Sequence, residues 1–426
     1  MRYNFTAEQI ADPQVGPAAK AVRSCVHCGI CTATCPTYVV LGDERDSPRG
    51  RIVLMKEMLE KGGAPSPETV HHIDRCLSCL NCKTACPSSV DYRRLVDQSR
   101  AHIQEHYQRP LGDRLLRWTI AQVMTRPKLV RIGLLLSKLG APFAKLLPGR
   151  LGAMATIGAA AHPHGPEPHN FPTPAVVKQR IAIMPGCAQA ALAPQIDGAV
   201  GRVLARRGIQ LVAMEGAGCC GALPHHMGRE EDSKAWAKRA IEAWERGAYD
   251  GVLITATGCS AQLKDYAHQF AGDPVWEPRA AKFAAASRDF ADLCTPLAAT
   301  PPQALRVAYH PACTLQNSLK LNGVGEELLA AAGFIVTPFG EAHLCCGSAG
   351  TYSILQPELS GKLRQRKLGN ILASDPDVIV SGNIGCLQHL AAGEGLTQPI
   401  LHIAELLDYA ESGIKPANLE LPQKSH

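Results

Sequence analysis

The 426-residue sequence contains no run of roughly 20 apolar residues, so no membrane-spanning helix is expected. Met1 to Lys20 shows no basic stretch followed by an apolar one. No secretory signal is therefore read, and the chain is placed in the cytoplasm, where thiols stay reduced. Aromatic residues are sparse, at 5%. A net charge of +6 is mild for this length and gives no reason to expect nucleic acid. No G-x-G-x-x-G follows a strand-like run and no flavin motif is recognisable, so FAD is not expected on this chain. What remains is a globular composition, 46% hydrophobic, which excludes a disordered chain and a polytopic membrane protein. Against it, 17 cysteines stand out. An odd count fits a closed disulfide framework poorly, and clustered cytosolic cysteines point to metal or redox chemistry.

Two runs share one pattern, C-x2-C-x2-C-x3-C-P. The first is Cys25, Cys28, Cys31, Cys35 and Pro36; the second is Cys76, Cys79, Cys82, Cys86 and Pro87. This is the run of bacterial two-cluster ferredoxins, in which the fourth cysteine ligates the other cluster. Three thiolates two residues apart can wrap one cubane in a short loop. One [4Fe–4S] cluster is thus assigned to Cys25, Cys28, Cys31 and Cys86, the other to Cys35, Cys76, Cys79 and Cys82. A pair of zinc sites, the alternative, needs no proline after a fourth cysteine.

Between the runs, Arg49 to Leu59 reads as an amphipathic helix, with Ile52, Met55 and Leu59 at helical spacing and Gly62-Gly63 ending it. Asp43-Glu44-Arg45-Asp46 reads as a solvated turn. Arg49 and Arg51 are read as pairing with acids in preference to tuning a cluster. A helical dicluster domain is expected over 1–108.

Residues 109–175 form a basic helical segment and a linker. Leu111 to Arg150 holds eight Lys or Arg and one Asp, interleaved with Leu, Ile and Val. Such a helix could lie on a membrane or bind a partner; packing against its own protein is the preferred reading. The Pro- and Ala-rich stretch with His162, His164 and His169 is read as a domain linker.

The rest is an internal repeat. Cys187, Cys219-Cys220-Gly221 and Cys259 are matched by Cys313, Cys345-Cys346-Gly347 and Cys386, with 32 residues from single to paired cysteine in both copies. Each group follows a strand-like run: Ile181 to Met184, Leu211 to Met214, Val252 to Thr255, then Arg306 to Tyr309, Phe334 to Val336, Val378 to Val380. Helical patterns lie between them. Two repeats of a Rossmann-like α/β domain are expected, over 176–300 and 301–426. The strand ends could converge four thiols per copy on one place. That place could hold a further cluster, a site shared between copies, or redox thiols. His225, His226 and His310 lie near these thiols and could assist them; core or surface histidine is the preferred reading for each. Cys294 has no counterpart and reads as incidental.

At this point the residues resemble a known family. The dicluster runs, Pro48-Arg-Gly-Arg51, His343-Leu-Cys-Cys-Gly-Ser-Ala-Gly-Thr-Tyr352 and Asn383-Ile-Gly-Cys386 are similar to those of the iron–sulfur subunits of membrane-linked 2-hydroxyacid oxidation, the glycolate oxidase iron–sulfur subunit family. The resemblance covers nearly the whole chain. It implies a complex with an FAD-containing glycolate-oxidising subunit and a second flavoprotein-like subunit. Electrons would pass through this chain to a quinone or another acceptor, and membrane contact would be peripheral, on the inner face. The isolated chain would not oxidise the hydroxyacid. In the related heterodisulfide reductase subunits each copy ends in C-x2-C. Here Gln262 and His389 occupy the last position, so one ligand per copy is missing. The same role in a lactate or glycerol phosphate dehydrogenase, a thiol reductase using Cys219 or Cys345, and a zinc-stapled scaffold remain open.

Overall fold

The computed structural model describes residues 3–140, 149–150, 152 and 170–421. His162, His164 and His169 lie outside the described residues, so the linker reading is not addressed by the structure.

The N-terminal part is helical. The longest of its helices are Val15–Ser24, Pro48–Lys61 and Tyr92–His106, and they bury one apolar cluster that includes Val22, Met55, Ile73, Leu95 and Val96. The expected helix between the cysteine runs is Pro48–Lys61. Its start is set by Ser47, whose hydroxyl accepts from the Gly50 N–H, and by Pro48 in the first turn. Gly62 caps its end, and Ile52, Met55 and Leu59 face the core.

Two helices follow, Leu111–Val123 and Pro127–Gly140. The preferred reading, packing against their own protein, holds for only one face. Ile120, Ala121, Val130 and Leu134 are buried. Leu111, Leu115 and Trp118 on the first helix, and Ile132, Leu135 and Leu136 on the second, are exposed.

The C-terminal part contains two four-stranded parallel sheets with one topology. In the first the order is β2-β1-β3-β4, where β1 is Gln179–Ile183, β2 Ile209–Ala213, β3 Gly251–Leu253 and β4 Ser287–Arg288. In the second it is β6-β5-β7-β8, where β5 is Arg306–Tyr309, β6 Ile335–Val336, β7 Val378–Ser381 and β8 Ile400–His402. Three expected strands per repeat are present; β4 and β8 were not anticipated. Two-residue β4 is too short to carry any periodicity of its own.

Side chains alternate across β1 as the pleat requires. Ala182 and Met184 enter a cluster private to the first repeat, with Ile241, Val252 and Phe283. Ile181 and Ile183 enter a second cluster that continues through Val307, Val380 and Leu406, so the two repeats share one core. At its rim the Gln195–Ala205 and Ile403–Ser412 helices meet, joined by Arg202 and Arg206 to Asp408.

Candidate functional site

The chain reverses direction about β1 and β5, and every cysteine group lies beyond the carboxyl ends of the strands, where open α/β sheets gather ligands. The N-terminal cysteine loops pack against this end.

In those loops, backbone geometry repeats. His27 and Gly29 have φ of 57° and 84°; the matching residues Ser78 and Leu80 have 52° and 60°. Alternating left-handed residues turn successive N–H groups inward, a concavity suited to an anionic group. The Ser78 N–H donates to Cys76 Sγ at 3.5 Å. Gly29 is required twice over, by its φ and because a Cβ would stand 2.4 Å from Arg49 Nη1.

The structure gathers Cys25, Cys28, Cys31 and Cys86 around one cavity, with Cys82 also on its wall. A second cavity is lined by Cys35, Cys76, Cys79 and Cys82. Cys28 is exposed, whereas Cys35, Cys76, Cys79 and Cys82 are buried. Burial pushes the Cys31 thiol up to about 11 and those of Cys79 and Cys82 well above the ordinary range. Thiols crowded this way become thiolates together only around a cationic group. Eight thiols around two cavities, with Cys82 on the wall of both, and inward N–H donors fit a [4Fe–4S] cluster in each.

Arg49 and Arg51 flank the two cavities separately. Arg49 lines the first and pairs with Glu44 at 2.5 Å. Arg51, 1% exposed, lines the second. It donates to Asp46 Oδ1 at 3.0 Å, the His72 carbonyl at 2.7 Å and Thr37 Oγ1 at 3.1 Å, and its Nη1 lies 3.9 Å from Cys35 Sγ. The pairing with acids is present, and so is contact with the cavities. Asp43 to Asp46 is not a solvated turn throughout. Asp46 is fully buried, held by Arg51 and by Arg75 at 2.9 Å, with His72 at 3.1 Å. Its partners lie up to 29 residues away, so a local reading missed it.

In the first repeat, Cys187 and Cys219 Sγ are 3.5 Å apart. Hydrogen bonds from Cys219 and Cys259 hold the Cys220 thiol well below its ordinary range. In the second repeat, Cys313 and Cys345 are 3.9 Å apart, and Cys346 bonds to both Cys345 and Cys386. Gly221 and Gly347 end the paired motifs at φ of 75° and 97°; Cβ atoms there would meet the Ser233 and Ser360 carbonyls at 2.9 and 2.7 Å. Cys294 lies in the apolar core, its thiol pushed up to about 12 by burial.

The histidines diverge from their common reading. His225 faces Asp97 at 3.2 Å, where the helical module meets the first repeat. His226 is half-buried, and desolvation brings its imidazole down to about 3. His310 is neither surface nor ordinary core: it lies against Cys346 and Cys386. No motif marked it, because its proximity depends on the pairing of β5 with β7. His389, in the position of the missing cysteine, turns to Ser360 at 3.3 Å.

The second repeat also touches the cluster loops. Cys79 and Cys345 share an apolar cluster with Leu77, Tyr352 and Leu363. Asn81 Nδ2 donates to the His343 carbonyl at 2.8 Å.

This fold and its thiol cavities define an iron–sulfur protein, a two-cluster helical module carrying a duplicated cysteine-rich domain. A 4Fe-4S dicluster domain matches residues 21–90, and the cysteine-rich domain matches at 181–264 and 307–391. The chain is 38% identical to the glycolate oxidase iron-sulfur subunit of Escherichia coli K12, over 96% of this chain and 99% of that one. It is 31% identical to a probable glycolate oxidase iron-sulfur subunit of Bacillus subtilis, over 90% and 93%. Lactate utilization protein A of Exiguobacterium is 28% identical over 56% of this chain and 99% of its own length. A crystal structure of a hypothetical protein from Helicobacter pylori shares the fold at a TM-score of 0.50 and 8% identity, covering 83% of this chain and 66% of that one. The chain belongs to the family of glycolate oxidase iron–sulfur subunits. Its N-terminal module is a two-[4Fe–4S] electron-transfer domain.

Proposed function

We propose that the chain is the electron-relaying subunit of a complex that oxidises glycolate to glyoxylate. The two electrons and two protons removed from glycolate go to FAD on a partner subunit. The electrons then leave singly through this chain toward a quinone or another acceptor. The observation that carries the reading is the pair of adjoining thiol cavities. One reaches the surface at Cys28, and the other is buried against the second repeat.

In this reading Cys25, Cys28, Cys31 and Cys86 hold the outer cluster, and Cys35, Cys76, Cys79 and Cys82 the inner one. Each cluster supplies a one-electron redox couple when bound. The surrounding residues position and insulate. Val26 and Ile30, 67% and 54% exposed beside Cys28, form an apolar edge for a flavoprotein partner. Arg51 and Asp46 fix the Cys35 loop, and Arg51 adds positive charge beside a thiolate. The second flavoprotein-like subunit completes the assembly.

Direct thiol reduction by Cys219 or Cys345 is disfavoured. Both are buried and pushed well up, opposite to what a thiolate nucleophile needs. Membrane contact, on this account, runs through Leu111, Leu115 and Trp118 with Ile132, Leu135 and Leu136. Among the described residues no helix is long and apolar enough to cross a membrane.

The test is anaerobic mixing of the iron-loaded chain and its flavoprotein partners with glycolate, D-lactate, L-lactate or glycerol 3-phosphate. Bleaching of the cluster absorbance by glycolate in preference to the others is expected. Bleaching only by another substrate, or by none, contradicts the proposal.

A further inference from the structure

The two N-terminal thiol cavities differ in the charge around them. Beside the outer cavity, positive charge is balanced. The Arg49 guanidinium pairs with Glu44 at 2.5 Å, in side chains 35% and 47% exposed. Water and salt screen what field remains. Beside the inner cavity the balance fails. Arg51 and Arg75 share the single carboxylate of Asp46, at 3.0 and 2.9 Å. Arg100, also buried, donates to the Cys76 carbonyl at 2.5 Å and to Ser78 Oγ at 2.6 Å. It has no acidic partner among the described residues. Three guanidiniums thus face one carboxylate.

Side-chain donors also converge on the inner thiols. Arg51 Nη1 donates to Cys35 Sγ and the Tyr92 hydroxyl to Cys76 Sγ, both at 3.9 Å. Thr37 Oγ1 lies 3.3 Å from Cys35 Sγ. The outer thiols take backbone donors, the N–H of His27 at Cys25 and that of Arg49 at Cys31.

Buried cations in surplus are costly unless an anion joins them. Each electron added to a thiolate-held cluster adds negative charge, and local net charge and hydrogen bonds to sulfur set how readily it is accepted. Burial acts in the opposite sense, because water at exposed Cys28 helps the outer site take charge. The guanidiniums outweigh it. At an effective dielectric near 20 a charge acts about four times as strongly as in water, and Arg51 touches a ligand thiol.

We propose that Arg51 sets the inner cluster at a higher potential than the outer one, so that an electron entering at Cys28 settles on the inner site, against the second repeat. The transfer moves one electron, makes and breaks no bond and needs no further reactant. This rests on the two-cluster reading, but not on glycolate being the donor.

The test is anaerobic potentiometric titration, followed by EPR, of the full chain loaded with iron and sulfide. Cys28→Ser marks which signal belongs to the outer centre. In wild type the other centre should become reduced first as the potential is lowered. Arg51→Met should lower the inner centre's reduced-to-oxidised ratio at fixed potential at least tenfold, about 59 mV for one electron. Arg51→Lys should lower it less. Asp46→Asn removes the only carboxylate and should shift the same centre upward. Opposite signs separate charge from packing, since loosening the loop from either side would act alike. The wild-type order and Asp46→Asn keep the test open if Arg51→Met does not fold. An outer centre that is reduced first, or Arg51→Lys and Asp46→Asn shifts of one sign, would overturn the proposal with both clusters present. Iron-free protein would instead overturn the two-cluster reading, and this inference with it.

Discussion

Asn317 of the second repeat donates its side-chain amide to the Cys79 carbonyl at 2.8 Å. The same amide reaches Asn81 Oδ1, and the Thr84 hydroxyl donates to Asn317 Oδ1 at 2.7 Å. One side chain, 238 residues from Cys79 in sequence, thus fastens the repeat to the loop that carries the inner thiol cavity.

Asn317→Ala removes these buried bonds and leaves the Cys79 carbonyl and Asn81 without their partner. A loss of about 1–3 kcal/mol is expected. Anaerobic thermal unfolding should show it. Redox titration should show a change in the midpoint potential of one cluster and not the other.

Arg51→Met strips Asp46 Oδ1 of its buried guanidinium donor, while Arg75 remains on Oδ2. Breaking a buried pair from one side costs about 3–5 kcal/mol. The double variant Asp46→Asn/Arg51→Met should recover part of that loss. Strict additivity of the two single variants, measured by denaturant unfolding, would show that the pair is not coupled.

Burial raises the Asp289 carboxyl to about 6. Its ordinary value is near 3.9. Between these values the folded state binds more protons than the unfolded one, so this group's contribution to stability falls as pH rises from about 4 through about 6. Above pH 6 the full penalty persists, on the order of 3 kcal/mol. Asp289→Asn should flatten this part of the pH–stability curve and raise stability at pH 7. A curve of unchanged slope would contradict the assignment.

Leu115→Glu combined with Trp118→Glu should weaken cosedimentation with anionic vesicles several-fold without altering iron content. Added salt should weaken wild-type binding as well, because the same helices are basic. Equal binding by wild type and variant would exclude this face.

Much of this was legible in the sequence because it is local. Cysteines two and three residues apart define a loop whatever surrounds them, and Val378 to Val380 or Arg306 to Tyr309 read as strands from their own side chains. The shared topology of the repeats followed from matched spacing. What escaped depended on distant partners. Asp46 looked solvated because Arg75 and His72 are remote in sequence. His310 looked ordinary because Cys346 and Cys386 reach it only across the sheet. The outward faces of Leu115 and Leu135 were hidden for a related reason, since helical periodicity shows that a helix is amphipathic but not which face finds cover.

The central claim is that the eight N-terminal cysteines hold two neighbouring clusters with crossed ligands. Iron and acid-labile sulfide analysis with EPR of the reduced chain, on wild type beside Cys86→Ser, tests it most directly. The account predicts about eight irons in these two sites and two magnetically interacting centres in wild type. It predicts that Cys86→Ser, although in the second run, perturbs the centre held by the first run and leaves a single unperturbed signal from the other. Wild-type protein never exposed to oxygen yet nearly free of iron, or a Cys86→Ser variant that perturbs only the Cys76, Cys79 and Cys82 centre, would contradict it.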